Sequence, residues 1–294
     1  MHMFNLNRTD LAMELEGITE SIDGVTYDRR AKDGIETVCI SIETDEAEKK
    51  LAKPKGRYVS ISAPDILYDS EIYEKTIEAV ANVIKEFGDT KKEVLVAGLG
   101  NSNITPDALG PEVVSRVLVT KHMKERLNYD FVDKLGSVSA IAPGVLGTTG
   151  IKTSQIIKAI VNEEKPGLII AVDAYCAKSI DRISTTIQVS DTGIIPGGGV
   201  GNRQAAINYE TMGVPVIAIG IPTVVDAVTV AASLLEDTSE ERIRSGLGKN
   251  GESLVVTPKD IDIIIDRGAK TVANAINRAF NPHLSIEDIE SFTS

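Results

Sequence analysis

Three stretches of uninterrupted apolar residues constrain the fold of this chain most strongly. They read VLVAGLG at 94–100, GLIIAVDA at 167–174 and VPVIAIGIP at 214–222, and SVSAIA at 137–142 is a weaker fourth. Runs that do not alternate with polar residues are typical of strands covered on both faces, as in parallel sheets. Helical spacing lies between them, at 111–127, 153–164 and 224–235. The pattern predicts an α/β fold, with a doubly wound, mostly parallel sheet and helices on both faces.

The remaining segments show shorter patterns. Residues 37–43 and 57–62 alternate apolar and polar side chains, which predicts two half-buried strands. A helix is expected to follow, with Ser70 as its N-cap. Residues 182–190 also alternate, which predicts an antiparallel or edge strand, and helical spacing returns at 259–280.

These patterns suggest a simple domain organisation, because neither an internal repeat nor a low-complexity linker interrupts them. We expect an N-terminal arm at 1–16, an N-terminal β-containing extension at 17–93 and an α/β core at 94–294. The extension and the core are expected to form one compact unit.

Composition excludes several classes of protein. Apolar runs stay below the roughly 18–20 residues of a spanning helix, and the N-terminus lacks an export signal, so we expect a cytoplasmic protein with no membrane partner. A net charge of −12 and an aromatic content of 4% disfavour nucleic acid as a partner. Cys39 and Cys176 match neither a disulfide framework nor a zinc-binding spacing.

Two acidic residues follow the long apolar runs. Residues 94–232 carry 12 acidic and 11 basic side chains, and the surplus acid lies toward the two ends of the chain. Asp107 follows the first run, and Asp173 ends the second. Ligands of open parallel sheets bind beyond the carboxyl ends of the strands, so we expect both carboxyl groups in one crevice. Of two adjacent carboxyl groups, one keeps its proton while the other acts as a base toward water.

Each of these carboxylates also has a structural alternative. Asp107 is a plausible turn residue, although with Pro111 as the first helical residue it lies outside the helix and off its cap position. Asp173 is a plausible cap at the end of a strand. Asp191 and Asp226 are reserve carboxylates with the same two interpretations.

Two glycine-rich loops belong to the same predicted edge of the sheet. GLGNSN at 98–103 and PGGGVGN at 196–202 allow close approach of the backbone to a ligand. Neither loop matches a phosphate-binding or dinucleotide fingerprint, so no cofactor is expected. The candidate oxyanion or peptide donors are the backbone N–H groups of Gly98, Gly100, Asn101, Gly198 and Gly199.

The histidines disfavour other catalytic schemes. His2, His122 and His283 lie in the arm, in a helix and in the tail, so a Ser-His-Asp or Cys-His site has no base in a crevice loop. Soft-ligand zinc is also disfavoured, whereas a metal held by carboxylates stays open at this point.

Long motifs of the chain resemble those of a known family. They are GLGNSNITPDALGP at 98–111, PGVLGTTGIKT at 143–153, IIAVDAYCAKSIDRISTTIQVSDTGIIPGGGVGN at 169–202, YETMGVPVIAIGIPTVVDAV at 209–228 and VTPKDID at 256–262. In this order they resemble the spore germination proteases of endospore-forming bacteria. The resemblance implies an endopeptidase that starts the degradation of small acid-soluble spore proteins on germination. It implies cleavage after an acidic and before a hydrophobic residue.

The resemblance also assigns roles to residues. The two catalytic aspartates of this atypical aspartic peptidase family match Asp107 and Asp173. One of the pair would take a proton from water, while the other, protonated, would bind the carbonyl of the cleaved bond. Lys178, Arg182 and Arg203 lie in or beside the matched loops and are candidate cations for the substrate acid, with a solvated surface charge as the alternative.

Processing and assembly are further implications of the resemblance. RTDLAMELEG at 8–17 is similar to the family's N-terminal processing region, and Asp10 before Leu11 fits the implied substrate pattern. We therefore expect a zymogen that cuts itself between Asp10 and Leu11, assembles as a homotetramer and acts in the cytoplasm of the spore core. The family's fold is similar to that of hydrogenase-maturation endopeptidases, which bind a metal at the equivalent site. Because the matching loops here lack histidine, no metal is expected.

Three other interpretations stay open from the sequence. The chain is alternatively a carboxylate-metal hydrolase, or a nucleoside-phosphorylase-like transferase on a similar layered fold. A non-enzymatic protein that binds acidic peptides through its glycine loops is the third.

Overall fold

A nine-stranded sheet organises the residues described by the computed structural model, which are 9–19, 22–66, 68–126, 130–198, 205–234, 246 and 254–293. Its strands run in the order β1-β2-β3-β7-β8-β6-β4-β5, and β9 pairs with β8. The strands are β1 (Val25–Lys32), β2 (Ile35–Ile42), β3 (Gly56–Ser62), β4 (Val94–Gly98), β5 (Val138–Ile141), β6 (Leu168–Ala177), β7 (Thr186–Ser190), β8 (Val216–Asp226) and β9 (Val255–Val256).

The four strands predicted from the apolar runs form the parallel part of the sheet. Strand β4 pairs in parallel with β5 and β6, and β6 pairs in parallel with β8. The α/β fold with a parallel central sheet is therefore confirmed. Strands β1, β2 and β3 extend the same sheet through antiparallel pairing of β3 with β7. The predicted strand at 182–190 is antiparallel, but it lies inside the sheet, between β3 and β8, and not at an edge.

Helices cover both faces of the sheet, as predicted. They are α1 (Asp45–Leu51), α2 (Ser70–Phe87), α3 (Leu109–Val114), α4 (Lys121–Arg126), α5 (Asp130–Asp133), α6 (Leu146–Thr149), α7 (Thr153–Glu164), α8 (Tyr209–Met212), α9 (Ala227–Leu234), α10 (Ile261–Phe280) and α11 (Ile286–Thr293). Helices α2, α3 and α10 share a core with Val96 and Ile170, whereas α7 shares one with Leu95 and Ile169. Since successive strand side chains point to opposite faces, the two cores lie on opposite sides of the sheet.

The helix predicted at 111–127 is two helices, α3 and α4, because the backbone N–H and carbonyl groups between them form hydrogen bonds with other parts of the chain. The Asn277 side chain accepts a hydrogen bond from the Leu118 backbone N–H (2.8 Å) and donates one to the Arg116 carbonyl (3.1 Å). Thr120 N–H donates to the Val138 carbonyl of β5. Helix α3 also begins two residues before Pro111, which brings Asp107 to within one residue of the N-cap.

Two other predicted helix starts were wrong. Strand β8 continues through Asp226, since its last residues pair with the extension of β6, so α9 begins at Ala227 and not at 224. The Asp226 carboxylate accepts hydrogen bonds from Val228 and Thr229 N–H groups, which is the cap role considered for it. At α2 the N-cap is Asp69 and not Ser70, because the Asp69 carboxylate accepts hydrogen bonds from the N–H groups of Glu71 and Ile72. Within the described residues, no helix combines the length and apolar character that crossing a membrane requires.

Candidate active site

Asp107 is held where the chain leaves β4. The loop after the strand folds back, so that Asn101 N–H donates both to Asp107 Oδ2 (2.8 Å) and to the Asp107 carbonyl oxygen (3.1 Å). Gly100 makes this turn with a φ of +110°, and a Cβ there would lie 2.0 Å from the Asp107 carbonyl oxygen. Only glycine tolerates both the conformation and the contact. The sequence GLGN therefore positions the carboxylate of Asp107.

Asp173 lies on the neighbouring strand, in the part of β6 that extends beyond β4. Its side chain is 5% exposed. It accepts hydrogen bonds from the backbone N–H of Ala174 (3.0 Å) and from that of Gly197 in the loop after β7. Asp173 is in register with Gly220 of β8, which in turn is in register with Gln188 of β7. The side chains of Asp173 and Gln188 therefore share one face of the sheet.

The two carboxyl groups are close enough for the charge of Asp107 to act on Asp173. Burial raises the pKa of Asp173 well above its usual value, and the charges of Asp107 and Asp10 raise it further. Burial also raises the pKa of Asp107, against the hydrogen bond from Asn101. The arrangement favours a proton on Asp173 while Asp107 ionises, which is the division of roles that activation of water requires.

The N-terminal segment lies across this edge of the sheet. We call residues 9–15 the N-terminal strap. Asp10 N–H donates to the Cys176 carbonyl, and Asp10 Oδ2 accepts from Cys176 N–H, both at 2.9 Å. The Asp10 carbonyl oxygen accepts from Lys53 Nζ (2.7 Å) and from Gln188 Nε2 (3.0 Å). The predicted processing residue is thus bound beside Asp173, whose pKa responds to its charge.

Leu11 and Ala12, which follow Asp10, are also bound to the rest of the protein. Leu11 is fully buried in an apolar cluster formed by Tyr175, Ala177, Ile183 and Val225. The next residue, Ala12, donates its N–H to Gln188 Oε1 (2.6 Å). The strap therefore lies on the protein as a bound peptide does, with one apolar pocket and backbone hydrogen bonds.

Glu14 anchors the far end of the strap. Its carboxylate accepts hydrogen bonds from the backbone N–H groups of Lys178 (2.7 Å) and Ser179 (2.8 Å), and from the Thr9 hydroxyl. A carboxylate that accepts several N–H bonds is held more strongly than a neutral acceptor. Both ends of the strap are therefore tied down.

The predicted cations lie around the strap. Lys178 Nζ is 3.4 Å from the carboxylate of Glu16. Arg182 donates to Ser62 Oγ (3.1 Å) and is 3.7 Å from Glu36. Arg203 lies outside the described residues. The two described cations thus bind protein groups other than Asp10 in these contacts.

The residues of the glycine-rich loops that were predicted to donate N–H groups to a substrate have different environments. Gly98 packs against α3, since a Cβ there would lie 2.1 Å from the Gly110 carbonyl oxygen. Gly100 forms the turn described above. Asn101 N–H is bound to Asp107, and Gly198 N–H donates to the Ile195 carbonyl. Gly199 lies outside the described residues.

Lys53 and Gln188 are site residues that the sequence patterns did not reveal. Gln188 occupies a polar position of an alternating strand, where the pattern predicts exposure to solvent, yet the side chain is only 2% exposed. Lys53 lies in a polar turn far from the matched motifs, so neither residue carries a signal in the sequence. Asp191, the other reserve carboxylate, binds the backbone N–H and the guanidinium of Arg57 and so serves the structure.

Two carboxyl groups do not by themselves make a metal site. Among the described residues, no group of three or more His, Cys, Asp or Glu side chains is arranged to hold a metal ion. The donor set at Asp107 and Asp173 therefore does not fit a resident metal.

The class of this protein is the peptidases, and an α/β sheet that holds a peptide segment beside two carboxyl groups agrees with that class. Comparison with known sequences identifies the group within that class. The family model described as germination protease matches residues 5–238, and the chain belongs to this family. It is a peptidase family associated with spore germination.

Individual relatives match over nearly the full length. The germination protease of Caldanaerobacter subterraneus is 43% identical, with 96% of each chain covered. That of Clostridium perfringens is 40% identical over 99% of each chain, and that of Bacillus pumilus is 35% identical over 97% of this chain and 96% of its own. Among solved structures, a [NiFe] hydrogenase maturation protease, HycI from Thermococcus kodakarensis, covers 67% of this chain and 98% of its own, at 16% identity and a TM-score of 0.36.

Proposed function

We propose that this protein is an endopeptidase that starts the degradation of small acid-soluble spore proteins during germination, cutting after an acidic and before a hydrophobic residue. The observation that carries the proposal is the binding of the chain's own Asp10-Leu11 sequence beside Asp173. Asp10 supplies the acid, and Leu11 fills a closed apolar pocket. Membership of the germination protease family supports the same conclusion.

The proposed mechanism is of the aspartic type. Asp107, ionised, takes a proton from a water molecule as the water oxygen adds to the carbonyl carbon of the substrate. Asp173, protonated, gives its proton to the departing nitrogen as the C–N bond breaks. A proton then passes from Asp107 to Asp173, which restores the starting state. Proton transfer of this kind contributes about 10²–10⁴-fold to a rate.

The strap makes the described chain a zymogen in this proposal. Residues 9–15 occupy the surface that a substrate of the same sequence pattern needs, so external substrates are excluded until the chain is cut between Asp10 and Leu11 and residues 11–15 leave that surface. Docking by backbone hydrogen bonds and by Glu14 supports this function of the strap. The enzyme would act in the cytoplasm of the spore core, as a homotetramer, with neither nucleic acid nor membrane as a direct partner.

The test compares Asp107→Asn and Asp173→Asn with the parent chain, and Asp181→Asn is the matched control because its carboxylate is exposed in the loop after β6. Each protein is incubated with a purified small acid-soluble spore protein, and the fragments are sized by mass spectrometry. We expect the parent and the control to produce termini after Asp or Glu, and the two Asn variants to be slower by at least about 10².

Near-parental turnover in a folded Asn variant would remove that residue from the mechanism. Binding of the spore protein without any fragments would favour a non-enzymatic peptide-binding protein instead.

A further inference from the structure

The carbonyl oxygen of Asp10 is bound by two side-chain donors. Lys53 Nζ lies 2.7 Å away and Gln188 Nε2 lies 3.0 Å away. This oxygen belongs to the peptide bond between Asp10 and Leu11. Donors that stabilise an oxyanion in acyl-transfer enzymes lie about 2.7–3.1 Å from the position that the oxyanion takes, and Lys53 and Gln188 already lie at these distances from the carbonyl oxygen that would become the oxyanion.

The Gln188 amide is fixed in the orientation that the role needs. Its Oε1 accepts the Ala12 N–H at 2.6 Å, so Nε2 is the atom directed at the Asp10 carbonyl. Gln188 is 2% exposed and lies in β7, on the same face of the sheet as Asp173. A buried donor held by a second hydrogen bond is preorganised, and preorganised donors are the effective ones.

Lys53 brings a positive charge to the same oxygen. It lies in the turn between α1 and β3, where burial lowers the pKa of its ammonium group while the charges of Asp10 and Glu14 raise it. Lys53 is half-buried, and a partly buried cation interacts more strongly with developing negative charge than a neutral donor does.

We propose that Lys53 and Gln188 are catalytic residues that bind the oxyanion formed on the carbonyl of the residue before the cleaved bond. The inference rests on the proposed function, since it takes Asp10–Leu11 as a bond that the enzyme cuts. When the water oxygen bonds to the carbonyl carbon, the π electron pair moves to the oxygen, which becomes negatively charged between Lys53 and Gln188. This electron pair re-forms the carbonyl π bond when the C–N bond breaks.

This assignment differs from the one predicted from the glycine-rich loops. The N–H groups of Asn101 and Gly198 already donate to protein acceptors, whereas the donors to the Asp10 carbonyl come from a strand interior and a distant turn. Lys53 and Gln188 would bind external substrates in the same way. They contact the backbone carbonyl oxygen of the residue before the cut bond, and every substrate has a carbonyl oxygen at that position.

The experiment uses the full-length chain with Lys53→Met and Gln188→Glu. Gln188→Glu keeps the acceptor for Ala12 N–H and removes the donor to the Asp10 carbonyl. Lys55→Met and Gln155→Glu are the matched controls, since Lys55 is an exposed cation two residues from Lys53 and Gln155 is an exposed glutamine of α7. Intact-mass spectrometry follows loss of residues 1–10 and gives the rate of self-cleavage. A synthetic peptide with the sequence of residues 7–15 then serves as substrate in trans, and its rate is referred to the fraction of each protein that has lost residues 1–10.

We expect the rate of self-cleavage and the kcat for the peptide to fall about 10²–10³-fold in each test variant, with KM changed by less than about threefold. The controls should match the parent. Rates within about threefold of the parent in both test variants, or an effect confined to KM, would overturn the assignment while leaving the proposed function intact. A parent chain that does not cut after Asp10 would overturn both.

Folding is checked by thermal melting of each variant. If Lys53→Met is unfolded, Lys53→Gln takes its place. Because Gln keeps a neutral donor, we expect Lys53→Gln to lower the rate about 10-fold, which is less than the loss expected for Lys53→Met. Gln188→Glu then tests the role of the neutral donor, Gln188, independently of Lys53.

Discussion

Ionisation of Asp173 costs the folded state free energy, because the carboxyl group is buried and lies near other carboxylates. Its pKa is raised in the fold, so the unfolded chain loses this proton at a lower pH than the folded chain does. The stabilising effect of the protonated form is complete below the unfolded pKa of about 3.9 and is lost as the pH rises through the folded pKa.

Asp173→Asn should therefore stabilise the protein, and more so as the pH rises. Asn has the same shape, can accept the Ala174 and Gly197 N–H bonds and does not ionise. Each unit of pKa shift corresponds to about 1.4 kcal/mol, and each kcal/mol to roughly 2–4 °C in Tm for a chain of this size. Calorimetry from pH 4 to 8 should show the difference in Tm between variant and parent growing from near zero.

Asp181→Asn provides the comparison, because its exposed carboxylate should give no such trend. A Tm difference for Asp173→Asn that stays constant across this pH range would contradict the assigned direction of the pKa shift.

At this scale the sequence located some residues of the site and missed others. Asp107 and Asp173 are predictable because Asp107 follows one long apolar run and Asp173 ends another, and the carboxyl ends of neighbouring parallel strands meet at one edge. Lys53 and Gln188 are not, since their contacts depend on how a turn and an antiparallel strand approach the strap. Neither approach leaves a periodic signal in the sequence.

Among the elements, β4 and α3 approach each other unusually closely at the site. A Cβ on Gly110 would lie 2.2 Å from the Leu99 carbonyl oxygen, and one on Gly98 would lie 2.1 Å from the Gly110 carbonyl oxygen. Because both neighbours are backbone atoms, neither can move without displacing the strand or the loop that carries Asp107.

Gly110→Ala should consequently destabilise the protein by at least about 1–3 kcal/mol and lower peptidase activity by displacing the Asp107 loop. Gly147→Ala in α6 is the matched control, since a Cβ there meets nothing within 4 Å. We expect the control to be neutral or slightly stabilising, by up to about 1 kcal/mol. Urea denaturation of both variants measures the difference, and equal free energies of unfolding would refute the close packing.

The boundaries of elements were predictable only where local signals decide them. Helix α7 begins and ends at the residues expected from its spacing. The separation of α3 from α4 depends on Asn277, which lies more than 150 residues further along the chain, and the continuation of β8 depends on pairing with β6. Such long-range partners override local helical spacing.

On the scale of the whole molecule, the proposed homotetramer is the property to test. The resemblance of the sequence motifs implies it, and large apolar side chains such as Tyr68, Tyr209 and Leu234 are exposed on the single chain. Contacts between copies would remove such surface from water. Light scattering coupled to gel filtration should give a mass about four times the 31.5 kDa of one chain, whereas a monomer mass at micromolar concentration would exclude the assembly.

The N-terminal strap has a consequence for the order of events on the ribosome. Residues 9–15 are synthesised before their partners, since those of Asp10, Ala12 and Glu14 in β6, β7 and the loop between them lie 164 to 178 residues further along. Asp173, the second member of the carboxyl pair, precedes Gln188 by only 15 residues. In the proposed zymogen, a nascent chain would therefore gain its proposed catalytic pair and the docking surface for the strap almost together, and translation would leave little time for an uncovered active site.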